Sequence, residues 1–127
     1  MGLTNEEVEA DRLEAWACHH AGQHRAAVLM ARSALQRAVR VLDPKFRGKL
    51  PAELDNLVTT GVITGQLRKN ADEVRLSGND VAHPEELGAI TAQDAEDSLI
   101  FLDDFLETTM AIPERQRLRQ EERENPE

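Results

Sequence analysis

The feature that most constrains this chain is a run of apolar side chains at helical spacing between residues 23 and 42. One stripe falls on a single side of an α-helix: Val28, Ala31, Leu35, Ala38 and Leu42. Other apolar side chains extend this stripe around most of the helix circumference: Leu29, Met30, Ala34, Val39 and Val41. A helix that is apolar on most sides must contact several others. The pattern therefore predicts an all-α bundle with this helix as its most buried member.

Capping residues, glycines and prolines divide the rest of the chain into four further helices. Hydroxyl and carboxylate side chains cap helix starts, whereas glycine and proline end helices. The predicted starts are Thr4 with Glu7, Pro51, Thr64, and Thr91 with Asp94. The predicted ends are Gly22, Asp43 before Pro44, Gly61, about Ala82 before Pro84, and Pro113. We expect a compact bundle of about five helices over residues 1–112. A charged, flexible tail follows over 113–127, either disordered or a frayed helical extension.

Charge is distributed unevenly along the chain. The net charge is −9, which opposes indiscriminate binding to phosphate backbones. Residues 21–50 nevertheless hold one acid and seven bases: Arg25, Arg32, Arg37, Arg40, Lys45, Arg47 and Lys49. This block suits either a local anion site or a solvated helix face paired with acidic neighbours. Aromatic residues make up only 3% of the chain, which argues against a surface that stacks bases of a single strand.

The sequence predicts a cytoplasmic protein without a membrane span, metal or cofactor. No apolar run approaches the length of a transmembrane helix, and a single cysteine excludes an internal disulfide. Cys18, His19, His20 and His24 are residue types that bind metals. Adjacent side chains on a helix point apart, however, and Gly22 interrupts the helix before His24, so we expect no metal site here.

The most informative polar residues are Arg75, Asn79 and His83, called the polar row below. They are spaced four residues apart, so at about 100° per residue they drift only about 80° around a helix and line one strip. Gly78 falls in the neighbouring apolar stripe, where a missing side chain allows another backbone to approach closely. The spacing predicts a polar strip at the edge of a packing surface.

The chemistry of the polar row supports two interpretations. In a metal-independent ribonuclease, a base deprotonates the ribose 2′-OH and a cation stabilises charge on phosphorus, so His83 suits the base or acid and Arg75 the cation. A structural role is also compatible, and three polar residues on one strip are common on solvated helix faces: Arg75 would pair with Asp72, Asn79 would bond locally, and His83 would lie over the last carbonyls of the helix. The residues alone leave both interpretations open.

Four segments carry a family resemblance: Ala26–Leu35, Leu54–Ile63, Arg75–His83 and Thr91–Ala95. In order and spacing they resemble a small helical domain of unknown function that occurs attached to bacterial restriction-endonuclease subunits and is also encoded alone. The resemblance extends over about two thirds of the chain, from about Ala21 to Leu106.

That domain is similar to the HEPN superfamily, whose members are helical, usually dimeric and often cleave RNA. HEPN nucleases carry an arginine, then a polar residue, then a histidine a few positions later. Asn79 and His83 match the last two, whereas Gly78 stands at the arginine position. Because Arg75 shares the strip, we hypothesise that it substitutes for this arginine, and the departure at Gly78 favours binding without cleavage. Arg32, on the matching second helix, is a further candidate for contact with the ligand.

The resemblance implies a HEPN-like module that binds RNA or a nucleotide in phage defence or restriction, forms a homodimer, and has metal-independent ribonuclease activity as a further expectation. The alternative is a non-catalytic protein-interaction or dimerisation module in which the polar row is structural. Replacement of His83 distinguishes the two interpretations. If the polar row binds a ligand, the protein loses affinity for RNA and keeps its fold, whereas if the row is structural, the protein loses stability.

Overall fold

The computed structural model describes residues 5–74 and 90–125. Its elements in chain order are α1 (Glu6–His20), α2 (His24–Leu42), α3 (Leu50–Thr59), α4 (Gly65–Glu73), α5 (Ala92–Leu106), a π-helical turn (Glu107–Ala111) and α6 (Ile112–Glu124). All of these elements are helical, which confirms the predicted all-α class. In the parts of the chain that the structure describes, no helix combines the length and apolar character needed to cross a membrane.

Helices α1 and α2 form a tight antiparallel hairpin. The N-cap of α1 is Asn5, whose side chain accepts from the Val8 amide, so the helix begins one residue later than the predicted Thr4 cap. Its end at Gly22 follows the prediction. Gly22 has φ +79°, and the amides of Gly22 and Gln23 donate to the carbonyls of His19 and Cys18. These two bonds define a Schellman motif, which only a residue tolerant of positive φ allows.

Helix α2 lies in the centre of the bundle, and Leu35 is fully buried as predicted. Four of its seven buried residues are alanines, which let neighbouring helices approach closely: Ala27, Ala31, Ala34 and Ala38. The predicted all-round apolar contact is wrong, because Leu29 and Val41 are 40% and 48% exposed. Helix α5 also buries seven residues within a shorter length, so α2 shares the central position with it.

Local signals fix the ends of α3 and the start of α4. Pro51 lies in the first turn of α3, where its missing N–H costs nothing. Gly61, with φ +80°, closes α3 in a second Schellman motif. The Thr64 side chain then caps α4 by accepting from the Leu67 amide. These three predictions are confirmed.

Helix α4 ends at Glu73, so the prediction of one helix from Thr64 to about Ala82 is wrong. Val74 is its C-cap, with φ −98° and ψ 8°. The Val74 carbonyl accepts from the Ser98 hydroxyl at 3.0 Å, and Ser98 is buried on α5. This tertiary contact, which local sequence cannot reveal, fixes the end of α4 against α5.

Helix α5 begins with the predicted capping box, since Thr91 and Asp94 each accept from the other's backbone amide. Its buried side chains include Leu99, Leu102 and Phe105. The chain remains helical through Pro113. This proline falls in the first turn of α6, where no intrahelical N–H is required. Helix α6 itself buries no residue.

A polar cluster ties α1 to α5 beside the apolar core. Arg12 donates from Nε and Nη2 to the two carboxylate oxygens of Asp103, at 2.6 and 3.1 Å. The indole N–H of Trp16 donates to the same carboxylate at 3.1 Å. Hydrogen bonding to Asp103 raises the pKa of Arg12. The two helices are therefore held at one relative position by a bidentate pair as well as by packing.

Candidate anion-binding site

Three of the four predicted site residues, Arg75, Asn79 and His83, lie outside the described residues. Their common strip at the edge of a packing surface therefore remains a prediction. The fourth, Arg32, lies on α2 and is half-buried, with its Nη1 atom enclosed by the protein. Val74 and Ile90, which border the segment that contains the polar row, both pack against the core.

A cavity of about 500 Å³ opens beside the solvent-facing side of α2. The described residues that line it come from the start of α1 and from about two turns of α2: Asn5, Glu7, Ser33, Gln36, Arg37, Arg40 and Val41. Ser33, Gln36, Arg37 and Arg40 are spaced i, i+3, i+4 and i+7, which brings them to one helix face. Arg32 lies about 80° around α2 from Arg40, on the flank of that face.

Arg37 forms one wall of the cavity and is oriented by α1. Its Nη1 lies 2.7 Å from Glu7 Oε2, and its Nε lies 2.7 Å from Asp11 Oδ2. The Ser33 hydroxyl donates to the same Asp11 oxygen at 3.2 Å. Because Arg37 is 48% exposed and Glu7 is 77% exposed, solvent screens the outer pair, and a stronger anion can displace Glu7 at small cost.

Arg40 is oriented by a buried carboxylate on α3. Glu53 is only 1% exposed, and it accepts from Arg40 Nε at 3.3 Å and from Gln36 Nε2 at 3.5 Å. A buried carboxylate requires a cationic partner, because an unpaired charge in the core is strongly destabilising. Arg40 remains 44% exposed, so it neutralises Glu53 while part of its side chain faces solvent.

The cavity presents donors that suit an oxyanion. A guanidinium has five N–H donors, and the bonds described above use Nε and Nη1 of Arg37 and Nε of Arg40. The Ser33 hydroxyl gives its one proton to Asp11, so the donors that remain for phosphate or carboxylate oxygens are the other N–H groups of the two guanidiniums and the second N–H of the Gln36 amide. The volume lies within the range of pockets for small organic ligands.

Sequence reasoning missed Ser33, Gln36, Arg37 and Arg40 as a group, although their helical spacing was available as a signal. The basic block leaves Arg37 and Arg40 open between a local anion site and a solvated face, because nothing local indicates that α1 contributes a second wall. Glu53 was also missed. Its spacing from Leu50 and Leu57 places it on the buried side of α3, and a carboxylate at such a position signals a partner elsewhere.

A comparison with known protein families identifies the family of this chain. The model of a family described as a domain of unknown function, DUF4145, matches residues 13–124. This chain belongs to the DUF4145 family. No curated protein and no solved structure matches it. The predicted resemblance to a helical domain of unknown function is thus confirmed. The matched residues include α2, the helix that lines the cavity.

Proposed function

We propose that this DUF4145 domain is a HEPN-like module that binds RNA or a nucleotide in phage defence or restriction. The observation that carries the proposal is the cavity on α2, where Arg37 and Arg40 converge with Ser33 and Gln36. The shared ligand chemistry is a phosphate group, which guanidinium recognises through paired N–H donors. Nucleotide and RNA both supply it.

The surroundings of the two arginines favour recognition of one or a few phosphates over binding of a long backbone. Arg37 has carboxylate partners in Glu7 and Asp11, and Arg40 has one in Glu53. These acids lower the local positive potential, and the whole chain carries a charge of −9. We therefore expect modest affinity and a shallow dependence on salt, because few counterions are released on binding.

Arg37→Gln is the sharpest test of the cavity. It removes one guanidinium and keeps Glu53 paired with Arg40. Replacement of Arg40 would instead leave the buried Glu53 without its cationic partner. We expect it to weaken binding of AMP and of a labelled single-stranded RNA by about tenfold, the effect of losing a charge-assisted bond. Isothermal titration and fluorescence anisotropy measure the two affinities.

Arg115→Gln is the matched control, because Arg115 is 49% exposed and is also paired with a carboxylate, Glu107, but lies beyond the cavity on α6. Its affinities should equal those of the wild type. If the wild-type protein binds neither probe, or if Arg37→Gln and Arg115→Gln bind alike, the cavity is not the ligand site.

Catalysis is the finer part of the proposal and rests on the polar row. His83 as base or acid and Arg75 as cation would cleave RNA without a metal and leave a 2′,3′-cyclic phosphate end. We expect wild-type protein treated with EDTA to cleave single-stranded RNA and His83→Ala to lose that activity while its urea midpoint is unchanged. Equal activity of the two proteins, with a lower midpoint for His83→Ala, would support a structural row instead.

A protein-interaction or dimerisation module is the second candidate, and α6 favours it. This helix of 13 residues buries none of them and leaves Ile112 and Leu118 exposed, so a second copy of the chain could cover these two apolar side chains. We expect a homodimer that depends on α6, so sedimentation of the full chain should give twice the mass of its single chain, whereas a chain ending at Ala111 should sediment as a monomer. A monomeric full chain at high micromolar concentration would contradict it.

A further inference from the structure

The turn between α1 and α2 gathers three histidines and a tryptophan: Trp16, His19, His20 and His24. The ring centroids of His19 and His24 are 5.4 Å apart, with planes inclined at 56°. His20 stacks on Trp16, with centroids 5.8 Å apart and planes inclined at 26°. His19 also contacts Trp16 and His20, with centroids 6.0 and 5.8 Å apart, so its shortest ring contact is the one with His24 across the turn.

The Nδ1 atoms of His19 and His24 are both buried, and neither has a hydrogen-bond partner among the described residues. A buried polar atom without a partner costs about 1–3 kcal/mol, and nearly all such atoms in folded proteins have one. Two neighbouring imidazoles with the same deficit indicate a shared partner. A metal ion that accepts a lone pair from each ring would satisfy both nitrogens at once.

The backbone holds the pair in place. The Schellman motif at Gly22 fixes the chain between His19 at the end of α1 and His24 at the start of α2. Because both histidines are attached to helix ends joined by hydrogen bonds, little side-chain or backbone entropy is lost when a ligand bridges them.

The ring separation matches that of two imidazoles on one metal ion. Zinc lies about 2.0–2.1 Å from a ligating nitrogen, and the ring centroid lies roughly 1.1 Å beyond it. At a tetrahedral angle, two ligating rings have centroids about 5.2 Å apart. The observed separation of 5.4 Å is close to this value.

We propose that His19 and His24 bind a divalent transition-metal ion of borderline softness, such as Zn²⁺, Ni²⁺ or Cu²⁺, through their two Nδ1 atoms. Within residues 5–74 and 90–125, no third His, Cys, Asp or Glu completes a group that could hold a metal. Cys18, the nearest thiol in sequence, packs against the core. Solvent therefore fills the remaining coordination positions, and Cu²⁺ binds most tightly, as imidazole sites generally prefer.

The bound ion joins the end of α1 to the start of α2. An ion that binds only the folded chain raises its stability by mass action. Imidazole must be neutral to bind a metal, so affinity falls as pH falls. The site is independent of the anion-binding cavity, whose lining residues lie elsewhere on α2.

Titration of the full chain with Zn²⁺, Ni²⁺ and Cu²⁺, after treatment with a chelator and its removal, tests the site. We expect one ion per chain, a rise in thermal midpoint with added metal, and an affinity at least tenfold lower in His19→Phe and in His24→Ala. Phenylalanine keeps the ring volume of His19 while removing its nitrogens. His20→Ala is the matched control and should bind as the wild type does.

A spectroscopic measurement on wild-type protein keeps the proposal testable if a variant does not fold. Electron paramagnetic resonance of the Cu²⁺ form should show coupling to two imidazole nitrogens. Absence of binding to the wild type, equal binding by His19→Phe and the wild type, or a Cu²⁺ spectrum without that coupling overturns the proposal.

Discussion

Two arginines in different regions of the molecule make ion pairs of the same length with different consequences. Arg12 Nε and Asp103 Oδ1 are 2.6 Å apart, and Arg117 Nη2 and Glu114 Oε1 are also 2.6 Å apart. The Arg12 side chain is 17% exposed and joins α1 to α5, whereas Arg117 is 54% exposed and pairs within α6 alone. Distance is the same, so burial and sequence separation decide what each pair stabilises.

The comparison distinguishes a packed bundle from a solvated helix. In the bundle, a bidentate pair satisfies groups that are largely withdrawn from water, and its loss leaves a partner without compensation. On α6, water replaces either partner as soon as the pair breaks. Hydrogen bonds to carboxylates raise the pKa of Arg12 and of Arg117 alike, so protonation state does not distinguish the two regions.

The largest expected effect comes from truncating a leucine in each region. Leu35 on α2 is fully buried, and Leu118 on α6 is 45% exposed. We expect Leu35→Ala to lower the free energy of unfolding by about 3–4 kcal/mol, through lost burial and a residual cavity. Leu118→Ala should change it by less than about 0.5 kcal/mol. Urea denaturation measures both, and similar losses would show that α6 packs as the bundle does.

An intermediate effect should follow removal of one carboxylate from each ion pair. Asp103→Ala leaves the partly buried Arg12 and the Trp16 indole without their acceptor, so we expect a loss of about 2–3 kcal/mol, with allowance for the exposed quarter of Asp103. Glu114→Ala should leave the urea midpoint unchanged within error. Equal shifts in the two variants would contradict the distinction drawn from burial.

The smallest effect is a pH dependence confined to α6. The hydrogen bond from Arg117 lowers the pKa of Glu114. A lowered folded-state pKa means that the stabilising pair is present above the pKa of the unfolded chain and is lost as pH falls through the lower folded value. Carbon-detected NMR should find the Glu114 midpoint below that of an ordinary glutamate. In Arg117→Gln the midpoint should return to the ordinary value, and an unchanged midpoint would assign the shift to another cause.

Elements with a local cause were predictable from sequence. The caps at Thr64 and Thr91 and the glycine ends at Gly22 and Gly61 depend on residues within a few positions of one another. The exposure of Leu29 and the end of α4 were not predictable, because they depend on which helices pack nearby. Periodicity gives the width of an apolar stripe but not the number of neighbours that cover it.

The candidate anion site was less predictable than the fold for the same reason. Its donors are four polar positions on α2, but Arg37 is oriented by Glu7 and Asp11 and Arg40 by Glu53, all on other helices. Sequence reasoning instead selected Arg32, which the structure has half-buried on the flank of that face. The polar row stays a prediction, since its residues lie outside the described part of the chain.

The π-helical turn between α5 and α6 sets the rotational phase of the last helix. Leu106 and Leu118 are twelve residues apart and would differ by about 120° on an uninterrupted α-helix. A π turn closes its hydrogen bonds one residue later, which removes about one residue of rotation and brings the two side chains to within about 20°. Ala111, five residues beyond Leu106, is buried about 40° around the helix from it. Deleting one residue from Glu107–Ala111 would let α5 continue into α6 as one regular α-helix, in which Leu106 and Leu118, then eleven residues apart, would still lie within about 20° of each other, so the direction that α6 faces would survive loss of the turn.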